Sequence, residues 1–454
     1  MTHVVCRFAP ILVATAVLAT TLHGQAPLPR RGALGTALTA LTDSSRAAAA
    51  LPATDSGPAI TALTPGSTAT AMGMRQGDII LALNGAPTRT PGDVVQALAR
   101  LRAGQSIEVQ VWSDRQRVTR RGTLAARPLE RTERWETLAE EIGSAGSRQR
   151  VLVTKPLASG RHPVLLVIGG IGGYSMDGPV AAIPYGPIFR AFADAGWATV
   201  RVDKPGQGDS EGGAITTLRF EQELAGYTKA LAHIARQPWA DTTRVVVFGH
   251  SMGGSFAPIL ASEHAMIRGV AVEATIGVTF AEYWLINLRR QLELGGTPPA
   301  QVDVLLRDAA RIMPLVMEEQ QSPAAVARAH PALAASTTAL FPDGETLSGM
   351  GIDFFRELNA RNMAAHWSRV RAKVLVMAGE ADFVATRADH PRIAAIVNAA
   401  QPGRATYRLL ERTDHGLTVQ ESEASAFANV GKPATFNPLI VEVLREWAKE
   451  WAPG

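Results

Sequence analysis

Apolar runs of strand length alternate with stretches of helical period over most of the chain after residue 148. RQRVLVTKP (148–156), PVLLVIGG (163–170), TRVVVFGH (243–250), RGVAVEAT (268–275), KVLVMAGEAD (373–382) and ATYRLLER (405–412) read as strands, several of them apolar almost throughout. AFADAGWATVRVDKPG (191–206) reads as a helix end, a glycine turn and a strand. FEQELAGYTKALAHIARQ (220–237) places Leu224, Tyr227, Leu231 and Ile234 on one helix face. NPLIVEVLREWAKEW (437–451) turns Ile440, Val443, Leu444, Trp447 and Trp451 inward. Strands without polar alternation, separated by helices, predict a mostly parallel sheet covered on both faces, an α/β fold. The alternation stops between 277 and 366, where a helical, Met- and Leu-rich insert is predicted to form a lid above the strand C-termini.

The first part of the chain has a different rhythm. From 31 to 127 short strands, a Pro-Gly turn, Asn84-Gly85 and a helix at TPGDVVQALARL (90–101), capped by Thr90 or Asp93, predict a small α+β domain. Residues 128–147 are polar and read as a linker, and 148–454 as the second domain with its lid insert. Residues 1–26 read as a signal peptide: Arg7 is followed by an uncharged stretch from Phe8 to Leu22 and by small or polar residues at HGQA. That stretch is short for a membrane span, and no later segment approaches the length of about 18 apolar residues that spanning needs. An exported, periplasmic or secreted protein with no stable membrane span after cleavage is expected.

Composition adds exclusions. The chain is 46% hydrophobic and 19% charged, with 45 Lys+Arg against 41 Asp+Glu. The densest basic stretch, Arg115 to Arg127, lacks interleaved aromatics and reads as a solvated strand face, so no nucleic-acid partner is expected. The single cysteine, Cys6, lies in the signal segment, which leaves no thiol nucleophile or thiolate metal site.

GHSMGG (249–254) stands between a strand and a helix, the context in which G-x-S-x-G exposes a nucleophilic serine. A serine hydroxyl needs a base and oxyanion donors to react. Ser251 is the candidate nucleophile, and the Met252 N–H at the helix start one donor. His415 follows the last strand and is the candidate base. Asp382 ends the preceding strand and is the candidate acid, with Asp389 and Glu273 as alternatives. His250 is expected to support the turn, and Asp414 to be a loop residue. The glycine-rich loop 169–173 offers Ile171 as second donor, with Gly172 behind it. This chemistry calls for neither metal nor cofactor.

These residues carry two resemblances. Residues 148–275 and 370–451 resemble an α/β-hydrolase of the serine esterase and aminopeptidase group, and DKPGQGDSEG (203–212) is similar to its segment after the fourth strand, where Asp203 is structural. Gly169-Gly170 departs from the usual His-Gly, and the Pro-Gly of prolyl aminopeptidases is missing. Residues 31–127, above all GDIILALNG followed by a helix and two strands, resemble a bacterial PDZ domain. That resemblance implies a loop, Gly32-Ala33-Leu34-Gly35, receiving a peptide C-terminus. Together they imply an exported serine hydrolase acting on a small acyl ester, thioester or peptide-like substrate. Amide cleavage is the runner-up, and an idle peptide-binding scaffold the competing class. Tyr283, Trp284, Met313, Met317, Phe354, Phe355 and Trp367 offer either an acyl pocket or the lid's own packing, and Glu318-Glu319 either an amine site or a solvated helix face.

Overall fold

A computed structural model describes residues 26–144, 146–177 and 184–453. The predicted signal segment and Cys6 lie outside the described residues. Eight strands form the large sheet: Trp135–Ser144, Ser147–Pro156, His162–Ile168, Ala198–Val202, Ala240–His250, Ile267–Glu273, Lys373–Gly379 and Ala405–Leu410. Numbered along the chain, they lie side by side in the order 1-2-4-3-5-6-7-8. The last six pair in parallel, and strands 1 and 2 add antiparallel at the edge.

Both sheet faces are buried, and strand 3 shows how. Val164, Leu166 and Ile168 enter one core and Leu165 and Val167 the other, as a period of two requires. Helices Phe220–Ile234, Gly253–Glu263 and Asp389–Ala400 cover the first face, and Gly186–Asp194 and Leu439–Trp447 the second.

Two boundaries differ from the sequence expectation. Residues 128–147 are not a linker, because Trp135–Ser144 pairs along its whole length with strand 2. Its glutamates disguise it: buried Trp135 and Thr137 alternate with half-exposed neighbours on an edge strand. The lid helices run on to Arg369, through Phe280–Leu294, Pro299–Met317, Ile352–Asn359 and Met363–Arg369. Met313, Met317, Phe354, Phe355 and Trp367 join the main core, so these five pack the lid rather than line an open pocket. Tyr283 and Trp284 are only half-buried, and Glu318 and Glu319 are exposed at a helix end.

The small domain is a six-stranded sheet whose path ends on the edge strand Thr36–Thr39. Its helix Pro91–Ala99 begins with a Thr90–Asp93 capping box. The strand Gln116–Thr123 turns Arg117 and Arg121 outward, where Arg121 meets Glu108 at 2.7 Å and Arg117 pairs with Asp55, while Arg120 is half-buried on the other face. The proposed carboxylate loop is partly committed: the Gly32 N–H donates to the Leu101 carbonyl, Gly32 and Ala33 pair with Ala126 and Ala125, and Leu34 is core. Gly32 is thereby removed from the expected set of free donors. The Leu34 and Gly35 N–H groups donate to no backbone oxygen among the described residues.

An ionic seam joins the domains. Arg30 lies 3.2 Å from Asp177 and 3.4 Å from Asp209, and Arg127 lies 2.6 Å from Asp177. The Arg31 N–H donates to Asp209 at 2.7 Å. Residues 26–28 are strapped to the sheet edge by Arg148, Arg150 and Glu141.

Candidate active site

Strand 5 ends at His250 and the next helix begins at Gly253, so residues 251–252 must reverse direction within one tight turn. Ser251 sits there at φ +53°, a left-handed conformation that a serine holds only at a cost and that throws its side chain clear of the backbone. Glycines make the turn possible. A Cβ on Gly253 would stand 2.2 Å from the Ile168 carbonyl oxygen, and one on Gly249 2.6 Å from the Gly253 oxygen.

Three loops from three strand ends converge on this serine. His415 Nε2 lies 2.9 Å from Ser251 Oγ, and His415 Nδ1 lies 3.0 Å from Asp382 Oδ2. Asp382 is buried, and its Oδ1 accepts from the Val384 and Ala385 N–H groups at 2.7 and 2.9 Å. Burial would raise its pKa, but His415 and those two donors outweigh it and hold the carboxyl below 3.8. Burial would likewise lower His415, yet the Asp382 charge and hydrogen bond leave it above 6.5. Since only neutral imidazole can take the serine proton, kcat/KM is expected to fall with acid through an inflection above that of a free histidine. A pH–rate profile on a small ester checks this, and an inflection below that value would contradict the ion pair.

The alternative acids are elsewhere. Glu273 is fully buried 3.4 Å from His250 Nε2, and burial pushes its carboxyl well above the usual range. Asp389 opens a helix, buried, with its pKa pushed up to about 6 by desolvation. Asp414 accepts from the Thr418 N–H and hydroxyl, as a loop residue would.

The oxyanion side is built from the loop after strand 3. Met252 follows Ser251 in the turn and Ile171 follows Gly170 in the loop, and neither N–H donates a hydrogen bond among the described residues. Gly172, at φ +111°, takes a backbone conformation open to glycine. A Cβ on Gly170 would come 3.1 Å from the Ser251 Cβ, so this loop passes directly over Ser251.

A buried relay links the oxyanion loop to the base. The Gly170 N–H donates to Tyr185 Oη at 2.8 Å, Tyr185 Oη meets His250 Nδ1 at 2.8 Å, and His250 Nε2 meets the His415 carbonyl at 2.9 Å. A carbonyl only accepts, so Nε2 carries the proton and Nδ1 accepts from Tyr185. Burial and the neighbouring His415 push the His250 pKa down to about 3, which keeps that neutral tautomer. Asp203 has the expected structural part: it accepts from Ser175 and from the Met176 and Asp209 N–H groups. Sequence reasoning missed Tyr185 and also Arg290, whose Nη2 on a lid helix donates to the Asp382 carbonyl at 2.6 Å. Neither had a signal, because a tyrosine after a turn and an arginine on a helix are ordinary residues locally.

A family model described as serine aminopeptidase, S33, matches residues 182–423, which span the serine turn, the lid, Asp382 and His415. The chain belongs to this α/β-hydrolase family. A PDZ domain model matches residues 60–113 of the hydrolase's leading domain. An esterase named FrsA from Photorhabdus laumondii is 33% identical over 132 residues. That stretch is 28% of this hydrolase and 28% of the relative, so the chain spans less than a third of the relative's length. Among solved structures, Est1E from Butyrivibrio proteoclasticus bound to ferulic acid is 13% identical, with a TM-score of 0.45. The match covers 69% of this chain and 99% of that one. An esterase of Pyrococcus furiosus is 13% identical, with a TM-score of 0.44 over 70% of this chain and 92% of its own.

Proposed function

We propose that this protein is an exported serine hydrolase that cleaves small carboxylic esters or thioesters through an acyl-enzyme. One observation carries the reading: Ser251 Oγ, strained at φ +53°, lies 2.9 Å from His415 Nε2, whose other nitrogen is held by buried Asp382. Ser251 attacks the carbonyl while His415 takes its proton. The Ile171 and Met252 N–H groups receive the oxyanion, and the Met252 donor sits at a helix N-terminus where the dipole favours negative charge. His415 then protonates the leaving group and activates water for deacylation. The matched relative named an esterase supports ester cleavage. Amide cleavage stands second, favoured by the family's serine aminopeptidase model. Export rests on Arg7 and the apolar stretch Phe8 to Leu22.

For the PDZ domain the proposed part is to receive a peptide or protein partner and regulate the hydrolase. The seam supports it: Asp177, paired with Arg30 and Arg127, belongs to the loop that carries Ile171. A screen of short acyl esters against amino-acid amides tests the reading, with a fluorophosphonate label located on Ser251. Ester turnover with labelled Ser251 is expected. Turnover of amino-acid amides alone would select the second reading, and a protein that neither labels nor turns over would be an idle scaffold.

A further inference from the structure

Lys204 is buried, yet it belongs to no part of the triad. Its Nζ donates to the Gly170 carbonyl at 2.6 Å and lies 3.2 Å from Glu223 Oε1. Tyr227 donates to the same Glu223 oxygen at 2.7 Å, which fixes the carboxylate that holds the ammonium. Tyr174 Oη donates to the Gly170 carbonyl as well, at 2.8 Å, so both lone pairs of that oxygen are taken. We propose that Lys204 is the positioning residue of the oxyanion hole, holding the Gly170–Ile171 peptide so that the Ile171 N–H faces the reacting carbonyl oxygen.

The reasoning is geometric. A trans peptide is planar, with its C=O and N–H pointing to opposite sides, so whatever fixes the Gly170 oxygen fixes the direction of the Ile171 N–H. The sequence around this peptide resists nothing by itself. Gly169, Gly170, Gly172 and Gly173 have no Cβ, so the peptide could rotate at little steric cost and turn a carbonyl toward the developing negative charge. Rotation would have to break the bonds from both Lys204 and Tyr174, and it would leave a buried ammonium one partner short. Neighbouring residues brace the rest of the loop: Arg201 Nε donates to the Met176 carbonyl at 3.1 Å, and Asp203 accepts from Ser175 and Met176. Of this segment only Lys204 reaches the peptide that bears the donor. On the other side of Gly170, Tyr185 holds its N–H. The hole is therefore set before substrate arrives, which is what makes an oxyanion donor effective.

This inference rests on Ser251 as nucleophile and Ile171 as donor. Removing one member of a buried ion pair destabilises a fold, whereas neutralising both is often tolerated. The test therefore pairs Lys204→Met with Glu223→Gln, whose amide oxygen still accepts from Tyr227. The pair is expected to lower kcat for a short ester by about 10- to 100-fold while KM stays within about twofold. The inhibition constant of a trifluoromethyl ketone, which forms a tetrahedral oxyanion on the serine, should rise by the same factor. Affinity for the carboxylic acid product should not move. Tyr174→Phe removes the other donor to Gly170 and should show a smaller loss of the same kind; it decides the matter if the paired variant does not fold. Unchanged kcat and ketone affinity in a folded variant would overturn the proposal, as would a change in KM alone. If Ser251→Ala is inactive while these variants run at full rate, only the role of Lys204 falls. If Ser251→Ala keeps its rate, the hydrolase reading falls first.

Discussion

Ser251→Ala is expected to lower the turnover of a p-nitrophenyl acyl ester by about 10⁴- to 10⁶-fold and to abolish fluorophosphonate labelling. The size follows from how the site is shared out. His415 Nε2 lies 2.9 Å from Ser251 Oγ and meets no other hydroxyl among the described residues, so without that oxygen it has nothing to activate in the acylation step. What remains is an oxyanion hole and a binding surface acting on direct attack by water. The fold should be indifferent to the change, because the turn is held by the Ser251 N–H to the Glu273 carbonyl at 2.9 Å and by glycine contacts, none of which involve the hydroxyl. Steady-state rates on the purified full-length protein, with its melting temperature as control, check this. A rate within tenfold of the parent, roughly 1.4 kcal/mol in barrier height, would assign the chemistry to another residue.

Asp382→Asn is expected to cost about 10⁴-fold in kcat, although it replaces one oxygen by one nitrogen. Asp382 Oδ1 accepts two backbone N–H groups, from Val384 and Ala385, so an asparagine must keep its carbonyl oxygen there. Its NH₂ then faces His415 Nδ1, where Oδ2 now lies at 3.0 Å. A donor at that position obliges Nδ1 to accept, which moves the imidazole proton to Nε2. An Nε2 that already carries a proton cannot take one from Ser251. The same change removes the carboxylate that raises His415, so the acid limb of the residual activity should move to lower pH. An undiminished rate would mean that Glu273 or Asp389 orients the base. Their positions oppose this: Glu273 stands beside His250, and Asp389 opens a separate helix.

How much of this was legible beforehand depended on whether the signal was local. The serine turn could be read because a strand, two constraining glycines and a helix lie within a few residues of one another. Asp382 and His415 could be named because each follows directly on a strand, and in a parallel sheet those ends gather at one edge. Trp135–Ser144 was lost because an edge strand tolerates glutamates on its half-exposed positions, and its partner is what makes it a strand. The lid's methionines and aromatics were ambiguous for the opposite reason, since packing and pocket call for the same residues.

Amino-acid order alone determined the α/β class, the leading small domain, the serine turn and the two strand ends that carry the candidate base and acid. These follow from periodicity and turn chemistry, which act over a few residues. Tertiary structure decided the rest. It chose Asp382 over Glu273 and Asp389, laid the arginines flanking the PDZ domain on Asp177 and Asp209, and clamped Gly170 between Tyr185, Tyr174 and Lys204. Lys204 and Gly170 are 34 residues apart, and His250 and His415 are 165 apart. Contacts over such separations exist only once the sheet order 1-2-4-3-5-6-7-8 has brought the loops together. No local pattern in the chain marks them, because each partner alone is an ordinary lysine, glycine or histidine.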